Sequence, residues 1–372
     1  MERKIITAES VTSGHPDKLC DLIADAILDE CLSQDENSRV ACEVVLAHDK
    51  CLIAGEVTTD AEIDYAEIAK EVISAVGYDA EKLEYEIRVV EQSGDIAQAV
   101  DKEKQGAGDQ GIVFGYATRE TENYMPLCSE LANRLVLRLE ECRAFGEIGG
   151  LLPDGKTQVS VEYKDGRFER IVSIVVSAQH EEEKDMGTLR REIKKKVIDR
   201  VLIGYDLSET EILINPSGRF VKGGYEADTG LTGRKIIVDT YGGKAPHGGG
   251  AFSGKDPTKV DRSATYMARY VAKNIVAAGL AEKCEVAISY AIGKTEPTSI
   301  NIDTFGTASI DEERILSAVK EVFDFTPKGI IETLDLKQPV FSQTSVGGHF
   351  GKDYLMWELT NKAVELKEKT AN

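Results

Sequence analysis

From Leu19 to Thr58 the chain reads LCDLIADAILDECLSQDENSRVACEVVLAHDKCLIAGEVT, and this stretch decides the fold class. Its apolar residues recur at steps of three and four as far as Leu32, which predicts an amphipathic helix. The runs 40–46 and 51–58 are rich in β-forming residues and flank the short segment AHDK, which predicts a hairpin. One helix followed by a pair of strands is therefore the motif from which the fold is built.

The same order of elements occurs three times along the chain. A strand and a helix are followed by two strands, a helix and a strand, the split pattern of ferredoxin-like domains. Chance recurrence of common elements is the alternative. We predict an α+β fold of three related βαββαβ subdomains, each a small mixed sheet with helices on one face. The predicted strands are 5–8, 40–46, 51–58, 85–90, 112–116, 158–163, 168–178, 211–214, 235–240, 285–292 and 299–304, and the predicted helices are 19–32, 63–76, 127–145, 189–202, 264–279 and 311–323. The predicted subdomains are 1–100, 109–218 and 219–360, with a tail at 361–372.

Composition limits the class of protein. The chain has 372 residues, 42% of them hydrophobic, and a formal charge of −20, which argues against a nucleic-acid partner because phosphate backbones require a basic face. Seven cysteines form no CxxC pair, a pattern typical of reduced thiols in a cytosolic protein. The N-terminus has no apolar signal segment, and no run reaches the length of a membrane span. We expect a soluble, cytoplasmic protein without a membrane partner.

One basic, glycine-rich stretch stands out in this acidic chain. Between Gly230 and Arg262 there are eight glycines, six Lys or Arg and only three Asp. Glycine lets the backbone approach a ligand closely, and fixed cations need an anion to balance them. The stretch therefore predicts loops that wrap a polyphosphate.

Two glycine patterns resemble nucleotide-binding motifs but fail on context. Residues 106–111 read GAGDQG and match the dinucleotide-binding spacing, but KEKQ before them is no strand and GIVFGYATR after them is no helix. No kinase motif follows them either. Gly249, Gly254 and Lys255 fall one residue short of a Walker A loop, and Asp256 stands where the Ser or Thr that binds magnesium must be. We exclude both motifs.

Carboxylates interleave with cations in these loops. A lone lysine is usually a solvated surface charge, but a group of cations in glycine-rich loops is typical of an anion site. Carboxylates would repel a polyphosphate unless a divalent cation bridges them, so Mg²⁺ is implied. No GxSxG, HExxH or Cys/His ligand pair is present, which favours charge stabilisation at a nucleoside triphosphate over covalent catalysis. The cations are Lys156, Arg234, Lys235, Lys255 and Lys259, and the carboxylates are Asp109, Asp228, Asp239 and Asp261.

The segment His15-Pro16-Asp17-Lys18 precedes the first predicted helix. In a functional interpretation, His15 donates to an anionic ligand and Asp17 holds Mg²⁺. In the alternative, the segment is only a helix cap, with Ser13 or Asp17 accepting from free backbone N–H groups. The motif alone leaves both open.

Four motifs resemble the signatures of the S-adenosylmethionine synthetase family: SGHPDK at 13–18, GAGDQG at 106–111, INPSGRF at 214–220 and GGGAFSGKD at 248–256. The resemblance runs from Glu9 to GHFG at 348–351. It implies three subdomains about a pseudo-threefold axis, and a homodimer or homotetramer with active sites between paired subunits. The implied reaction converts ATP, L-methionine and water into S-adenosylmethionine, diphosphate and phosphate. In it the methionine sulfur attacks C5′ of ATP, the whole triphosphate leaves, and the triphosphate is then hydrolysed.

The resemblance also implies roles for individual residues, with Mg²⁺ (two ions per site) and K⁺ as cofactors. His15 would lie near the breaking bond and act catalytically with the cations Lys156, Arg234, Lys235 and Lys255. The ATP contacts would be His15, Asp154, Lys156, Arg219, Phe220, Asp228, Arg234, Lys235, Ala251 and Lys255. The methionine contacts would be Glu56, Gln92, Asp228 and Lys259. Asp17 and Asp261 would bind Mg²⁺, Glu43 would bind K⁺, and Asp109 would serve the neighbouring subunit's site.

The chain departs from the family pattern in two places. In the segment 92–100, which the resemblance identifies as a flexible gating loop, Gly94 stands where proline is expected and Ala99 where glycine is. Glycine enlarges the unfolded ensemble and alanine restricts positive φ, so we expect altered gating rather than lost chemistry. The segment Lys244-Ala245-Pro246 adds a cation near the triphosphate loop, without an assigned role.

Two other classes of protein stay open on the sequence. One is another ATP-dependent enzyme, a ligase or kinase that uses the same anion-binding loops. The other is a catalytically silent ATP-binding or scaffold protein, against which the full set His15, Asp17, Lys156, Lys255 and Lys259 argues.

Overall fold

The computed structural model describes residues 2–91 and 106–371 and shows a mixed α/β protein. Its strands are β1 (Arg3–Val11), β2 (Arg39–Ala47), β3 (Lys50–Thr58), β4 (Glu84–Val90), β5 (Gly111–Thr118), β6 (Leu151–Lys164), β7 (Arg167–His180), β8 (Glu211–Ile214), β9 (Gly230–Leu231), β10 (Lys283–Tyr290) and β11 (Ser299–Asp303). Its main helices are α1 (Pro16–Gln34), α2 (Tyr65–Val76), α3 (Leu127–Ala144), α4 (Met186–Ile193), α5 (Val260–Ala277), α6 (Glu312–Val322), α7 (Pro327–Thr333) and α8 (Ala363–Ala371). Helix α4 continues in a π-helical turn, Lys194–Ile198, and a last helical turn, Asp199–Val201. Over these residues, no helix is long and apolar enough to cross a membrane.

The strands form three sheets, and each sheet takes one strand from another repeat unit. The strand orders are β4-β3-β2-β9, β1-β6-β7-β8 and β11-β10-β5. The first strand of every unit is exchanged: β1 pairs with β6, β5 with β10, and β9 with β2, all antiparallel. A ferredoxin-like unit would keep its first strand in its own sheet, so that part of the prediction is wrong. The pairs β3–β4 and β7–β8 are parallel, which makes two sheets mixed as predicted, whereas the third is antiparallel throughout the described residues.

Helix α5 covers one face of the sheet formed by β5, β10 and β11. Along β10, buried residues alternate with half-buried ones, and the buried set joins the same core as α5. Strand β5 runs so close to α5 that a Cβ on Gly115 would lie 2.0 Å from the carbonyl carbon of Ala268, and only glycine fits there. The opposite face of the sheet stays half-buried and carries polar side chains.

The predicted strand at 235–240 is wrong. The N–H of Asp239 donates to the carbonyl of Lys235 (2.9 Å), and the N–H of Gly242 donates to the carbonyl of Ile237 (3.3 Å). The segment therefore turns on itself, despite a β-forming IIV run, because tertiary contacts override local propensity. Only the two-residue strand β9 remains as the first strand of this unit.

Helix α1 carries four carboxylates at four-residue spacing, which we call the carboxylate ladder: Asp17, Asp21, Asp25 and Asp29. Residues four apart lie on one face of a helix. Each carboxylate accepts a backbone N–H from a distant loop: Asp17 from Leu231 (3.0 Å), Asp21 from Gly233 (2.8 Å), Asp25 from Gly254 (2.8 Å) and Asp29 from Phe341 (2.8 Å). Charge-assisted bonds of this kind are stronger than neutral ones, so α1 fixes the glycine-rich loops in place.

Candidate active site

The N-terminus of α1 brings a histidine and a carboxylate together with two cations. His15 is the N-cap residue, and its Nδ1 accepts the N–H of Asp17 (3.2 Å). Asp17 is buried, and its carboxylate lies 2.5 Å from Nζ of Lys235 and 3.6 Å from Nε of Arg234. The histidine itself caps the helix, so the alternative of a cap at Ser13 or Asp17 is wrong.

Strand β6 contributes two further residues to this site, Lys156 and Asp154. Nζ of Lys156 lies 2.7 Å from Oε2 of Glu9 on the paired strand β1. Asp154 lies in the same strand rather than in a turn, and its Oδ2 accepts the N–H of Gly224 (2.8 Å). Burial raises the pKa of Asp154 to about 6, and the charge of nearby Asp228 acts in the same direction.

His15 is neutral at physiological pH. Burial lowers the pKa of His15 to about 3, and the charges of Lys235 and Lys156 also lower it, against the opposing effect of Asp17. Because Nδ1 accepts the Asp17 N–H, the single ring proton is on Nε2. The imidazole therefore offers an uncharged donor among fixed cations, which suits an anionic oxygen. We call this set the cation group: His15, Asp17, Asp154, Lys156, Asp228, Arg234 and Lys235.

A second set lies around β2 and β3, and we call it the acid group: Glu43, Glu56, Lys255 and Asp261. The two glutamates lie on the same face of the paired strands. Lys255 forms a β-bridge with Ala41, and its Nζ lies 2.7 Å from Oδ2 of Asp261. Burial raises the pKa of Glu43, with Lys255 opposing the rise and Glu56 adding to it. Lys255 thus interacts with two carboxylates, those of Asp261 and Glu43.

The loop 248–254 touches both groups. A Cβ on Gly250 would lie 2.2 Å from the carboxyl carbon of Asp261 in the acid group. A Cβ on Gly233, the residue before Arg234, would lie 2.7 Å from the Cβ of Ala251. Close approach of backbone to side chain explains the glycines. Ala251 lies beside Gly233, next to Arg234, and its predicted ATP contact stays a prediction.

Three domain models of one family match this chain: the N-terminal, central and C-terminal domains of S-adenosylmethionine synthetase, at residues 3–101, 104–220 and 222–359. The S-adenosylmethionine synthase of a Sulfurovum species is 51% identical over 376 residues, covering 98% of this chain and 97% of that protein. That of Mesoplasma florum is 50% identical, covering 98% of this chain and 100% of that protein. The chain belongs to the S-adenosylmethionine synthetase family. The family predicted from the four motifs is confirmed, and with it the class of enzyme.

The carboxylates of both groups fit the Mg²⁺ that the S-adenosylmethionine synthetase family implies. Asp17 and Asp261 each face a lysine ammonium, so each already stabilises a positive charge. Across residues 2–91 and 106–371, no three His, Cys, Asp or Glu side chains form a complete metal site. Mg²⁺ commonly takes one or two carboxylates and completes its shell with water and substrate phosphates, which agrees with isolated carboxylates.

In this member of the S-adenosylmethionine synthetase family, Arg219 and Phe220 contact residues at the end of β7 and just after it. The side chain of Arg219 is 58% exposed, and its guanidinium lies 2.5 Å from Glu182. The N–H of Phe220 donates to Nε2 of His180 (3.0 Å) at the end of β7. Neither side chain forms a polar contact with the cation group, so their predicted ATP contacts stay predictions.

Two further predicted residues, Lys259 and Asp109, lie outside both groups. Lys259 donates to Asp256, which is fully buried and also accepts the N–H of Val40 (2.6 Å). Asp256 is therefore a structural residue that ties the loop to β2. Asp109 is exposed and accepts the N–H of Gln110 (2.7 Å). Gln92, like Gly94 and Ala99, lies outside the described residues.

The sequence analysis missed a set of buried charges around α1. Asp21 and Lys18 are fully buried, and Arg262 binds Asp25 with two bonds of 2.7 and 2.8 Å. The four-residue spacing of aspartates on the apolar face of α1 was the available signal. Asp17, Asp21 and Asp25 are all buried, so these carboxylates lie inside the protein.

Proposed function

We propose that the protein makes S-adenosylmethionine from ATP, L-methionine and water. The observation that carries the proposal is the cation group, in which Lys156 and Lys235 lie near a neutral His15 and Arg234 lies 3.6 Å from Asp17. The methionine sulfur would attack C5′ of ATP, the whole triphosphate would leave, and hydrolysis would convert it to diphosphate and phosphate. A thioether is already a nucleophile and needs no general base, which agrees with the absence of a catalytic dyad in the sequence motifs.

The charge that develops on the leaving triphosphate is the difficult part of this reaction. Preorganised cations stabilise such charge far better in a buried site than in water. Lys156, Arg234 and Lys235 would bind the phosphates, and Nε2–H of His15 would donate to the oxygen that leaves C5′. Lys255 of the acid group would bind the far end of the triphosphate.

Carboxylates would hold the cofactors. Asp17 and Asp261 would bind Mg²⁺, two ions per site, and bound Mg²⁺ supplies charge neutralisation of the phosphate oxygens. Glu43 would bind K⁺, and its neighbour Glu56 adds negative charge there. Glu56, together with Gln92, Asp228 and Lys259, would bind methionine.

We propose further that two chains complete the active site. The acid group and Asp109 would serve a partner's cation group in a homodimer, or in a homotetramer built from dimers. Glu43 and Glu56 are exposed on a face of β2 and β3 whose other residues are mostly half-buried, which supports such a pairing. The exchange of first strands among three sheets supports the approximate threefold relation of the subdomains.

The test is to incubate the protein with ATP, methionine, Mg²⁺ and K⁺ and to identify the products by mass. S-adenosylmethionine with both phosphate and diphosphate supports the proposal. ADP or AMP without a sulfonium product would instead support a kinase or ligase. Binding of ATP without any turnover would support a silent ATP-binding protein.

A further inference from the structure

Lys18 is enclosed between two carboxylates. Its side chain is 1% exposed, its Nζ lies 2.8 Å from Oδ2 of Asp21, and it also donates to Oδ1 of Asp239. An ammonium buried in this way cannot reach a substrate phosphate. The residue follows Asp17 directly in the chain, yet neither the motif nor the proposed reaction gives it a task.

The two carboxylates hold the two ends of the segment 233–239, which carries two cations of the cation group. At one end, Oδ1 of Asp21 accepts the N–H of Gly233 (2.8 Å). At the other end, the N–H of Asp239 donates to the carbonyl of Lys235 (2.9 Å) and closes a turn. The buried ammonium therefore ties this segment to α1 at both ends.

The C-terminal part of the chain packs on the other side of Asp239. The N–H of His349 donates to the carbonyl of Asp239 (2.9 Å), and Nε2 of the imidazole lies 3.7 Å from the carboxylate. Nδ1 of His349 in turn lies 2.7 Å from the hydroxyl of Tyr266. All of these groups are buried, so the turn is fixed from two sides.

We propose that Lys18, Asp21 and Asp239 are positioning residues that set where Arg234 and Lys235 lie. This inference rests on the proposed function and deepens it. Long cationic side chains have many rotamers, and a fixed backbone limits the directions in which they can point. In enzymes a displacement of about 1 Å at a positioned group lowers the rate by about a hundredfold, so a loose turn would be costly.

The test compares Lys18→Met with Asp29→Ala, a control from the far end of the carboxylate ladder. Asp29 accepts the N–H groups of Phe341 and Ser342 (both 2.8 Å) and contacts no residue of the cation group. We expect Lys18→Met to weaken binding of inorganic triphosphate and to lower kcat, each by roughly tenfold or more, with methionine KM nearly unchanged. We expect Asp29→Ala to lower Tm while both kinetic constants and triphosphate binding stay within about twofold.

Two results would overturn the inference. One is that Lys18→Met lowers Tm but binds triphosphate as the wild type does. The other is that triphosphate and methionine binding fall by equal factors, as general loosening would cause. If Lys18→Met does not fold, Asp239→Asn and Lys18→Arg replace it, with a partial triphosphate defect expected for the first and rescue towards wild type for the second. If the wild type makes no S-adenosylmethionine, the proposed function fails, while triphosphate binding still tests the positioning.

Discussion

The carboxylate of Asp17 lies 2.5 Å from the ammonium of Lys235. A proposed Mg²⁺ ligand and a proposed phosphate ligand are therefore paired with each other. Lys156 is paired in the same way, with Glu9 at 2.7 Å. In the proposed reaction, phosphate binding would break these pairs, and a divalent cation held by the carboxylate would leave the ammonium free for the phosphate.

Removing the charge of Asp17 tests whether Asp17 and phosphate compete for Lys235. Asp17→Asn keeps an oxygen for the N–H of Leu231 but no longer neutralises Lys235. We expect the variant to bind inorganic triphosphate roughly tenfold more tightly than the wild type when Mg²⁺ is absent, because one repelling charge is gone. We also expect S-adenosylmethionine synthesis to be lost. Calorimetric titration without Mg²⁺ is the measurement, and weaker binding by the variant would contradict the competition between Asp17 and phosphate.

The two lysines proposed to bind the triphosphate from either side should be essential. Replacing Lys156 or Lys255 with methionine keeps most of the side-chain volume and removes the charge. We expect kcat to fall roughly a hundredfold or more in each variant, as for the loss of one charge-stabilising donor. Lys337→Met is the control, since Lys337 pairs with Glu36 on the surface (3.0 Å), and it should leave kcat unchanged. Undiminished synthesis by Lys156→Met or Lys255→Met would refute the assigned role.

His15 should stay unprotonated across the physiological range. Its pKa is lowered to about 3, first by burial and then by Lys235, whereas an unfolded chain takes up this proton near the ordinary value of 6.5. Folding stability from this group is therefore present above that value and is lost as the pH falls below it. Nuclear magnetic resonance of the labelled ring should show no titration between about pH 8 and about pH 5. A midpoint near 6.5 would mean that the ring is solvated and would contradict the assignment of a neutral donor.

We expect Asp154 to destabilise the folded protein above about pH 6, although S-adenosylmethionine synthesis needs it. Its pKa is raised from 3.8 to about 6, mainly by burial, so the folded chain holds this proton more firmly than the unfolded chain. The resulting stabilisation is complete below the unfolded value and is lost as the pH rises through about 6, by at most about 3 kcal/mol. Asp154→Asn should therefore have a higher Tm than the wild type at about pH 8 and a similar Tm near pH 3.5, with impaired synthesis. A Tm difference that does not change between these pH values would exclude this explanation.

Local patterns predicted most of the helices and strands. The helix after His15, the hairpin at AHDK, and the predicted strands 158–163 and 168–178 appear where the sequence places them, because each is stabilised by contacts close in sequence. The exchange of β1, β5 and β9 between sheets could not be predicted in this way. The alternation of apolar and polar residues along a strand shows which face is buried. It does not show which distant strand pairs with it.

In the candidate site, too, local motifs were predictable from the sequence, whereas features fixed by distant contacts were not. Motifs brought His15, Asp17, Lys235 and Lys255 to attention, and the structure pairs the acids and bases among them. The turn after Lys235 was missed because the β-forming run IIV conceals it. Its conformation is fixed by α1, through Asp21 at Gly233, more than two hundred residues away in the chain.

In the proposed reaction, the triphosphate leaves whole from C5′ of ATP. ATP that carries a heavy oxygen isotope in the bridge between C5′ and the α-phosphorus tests it directly. Cleavage of the C5′–O bond predicts that all of the isotope appears in the released diphosphate and phosphate, and none in the nucleoside product. Isotope retained on the adenosine would mean attack at phosphorus, and it would contradict the account.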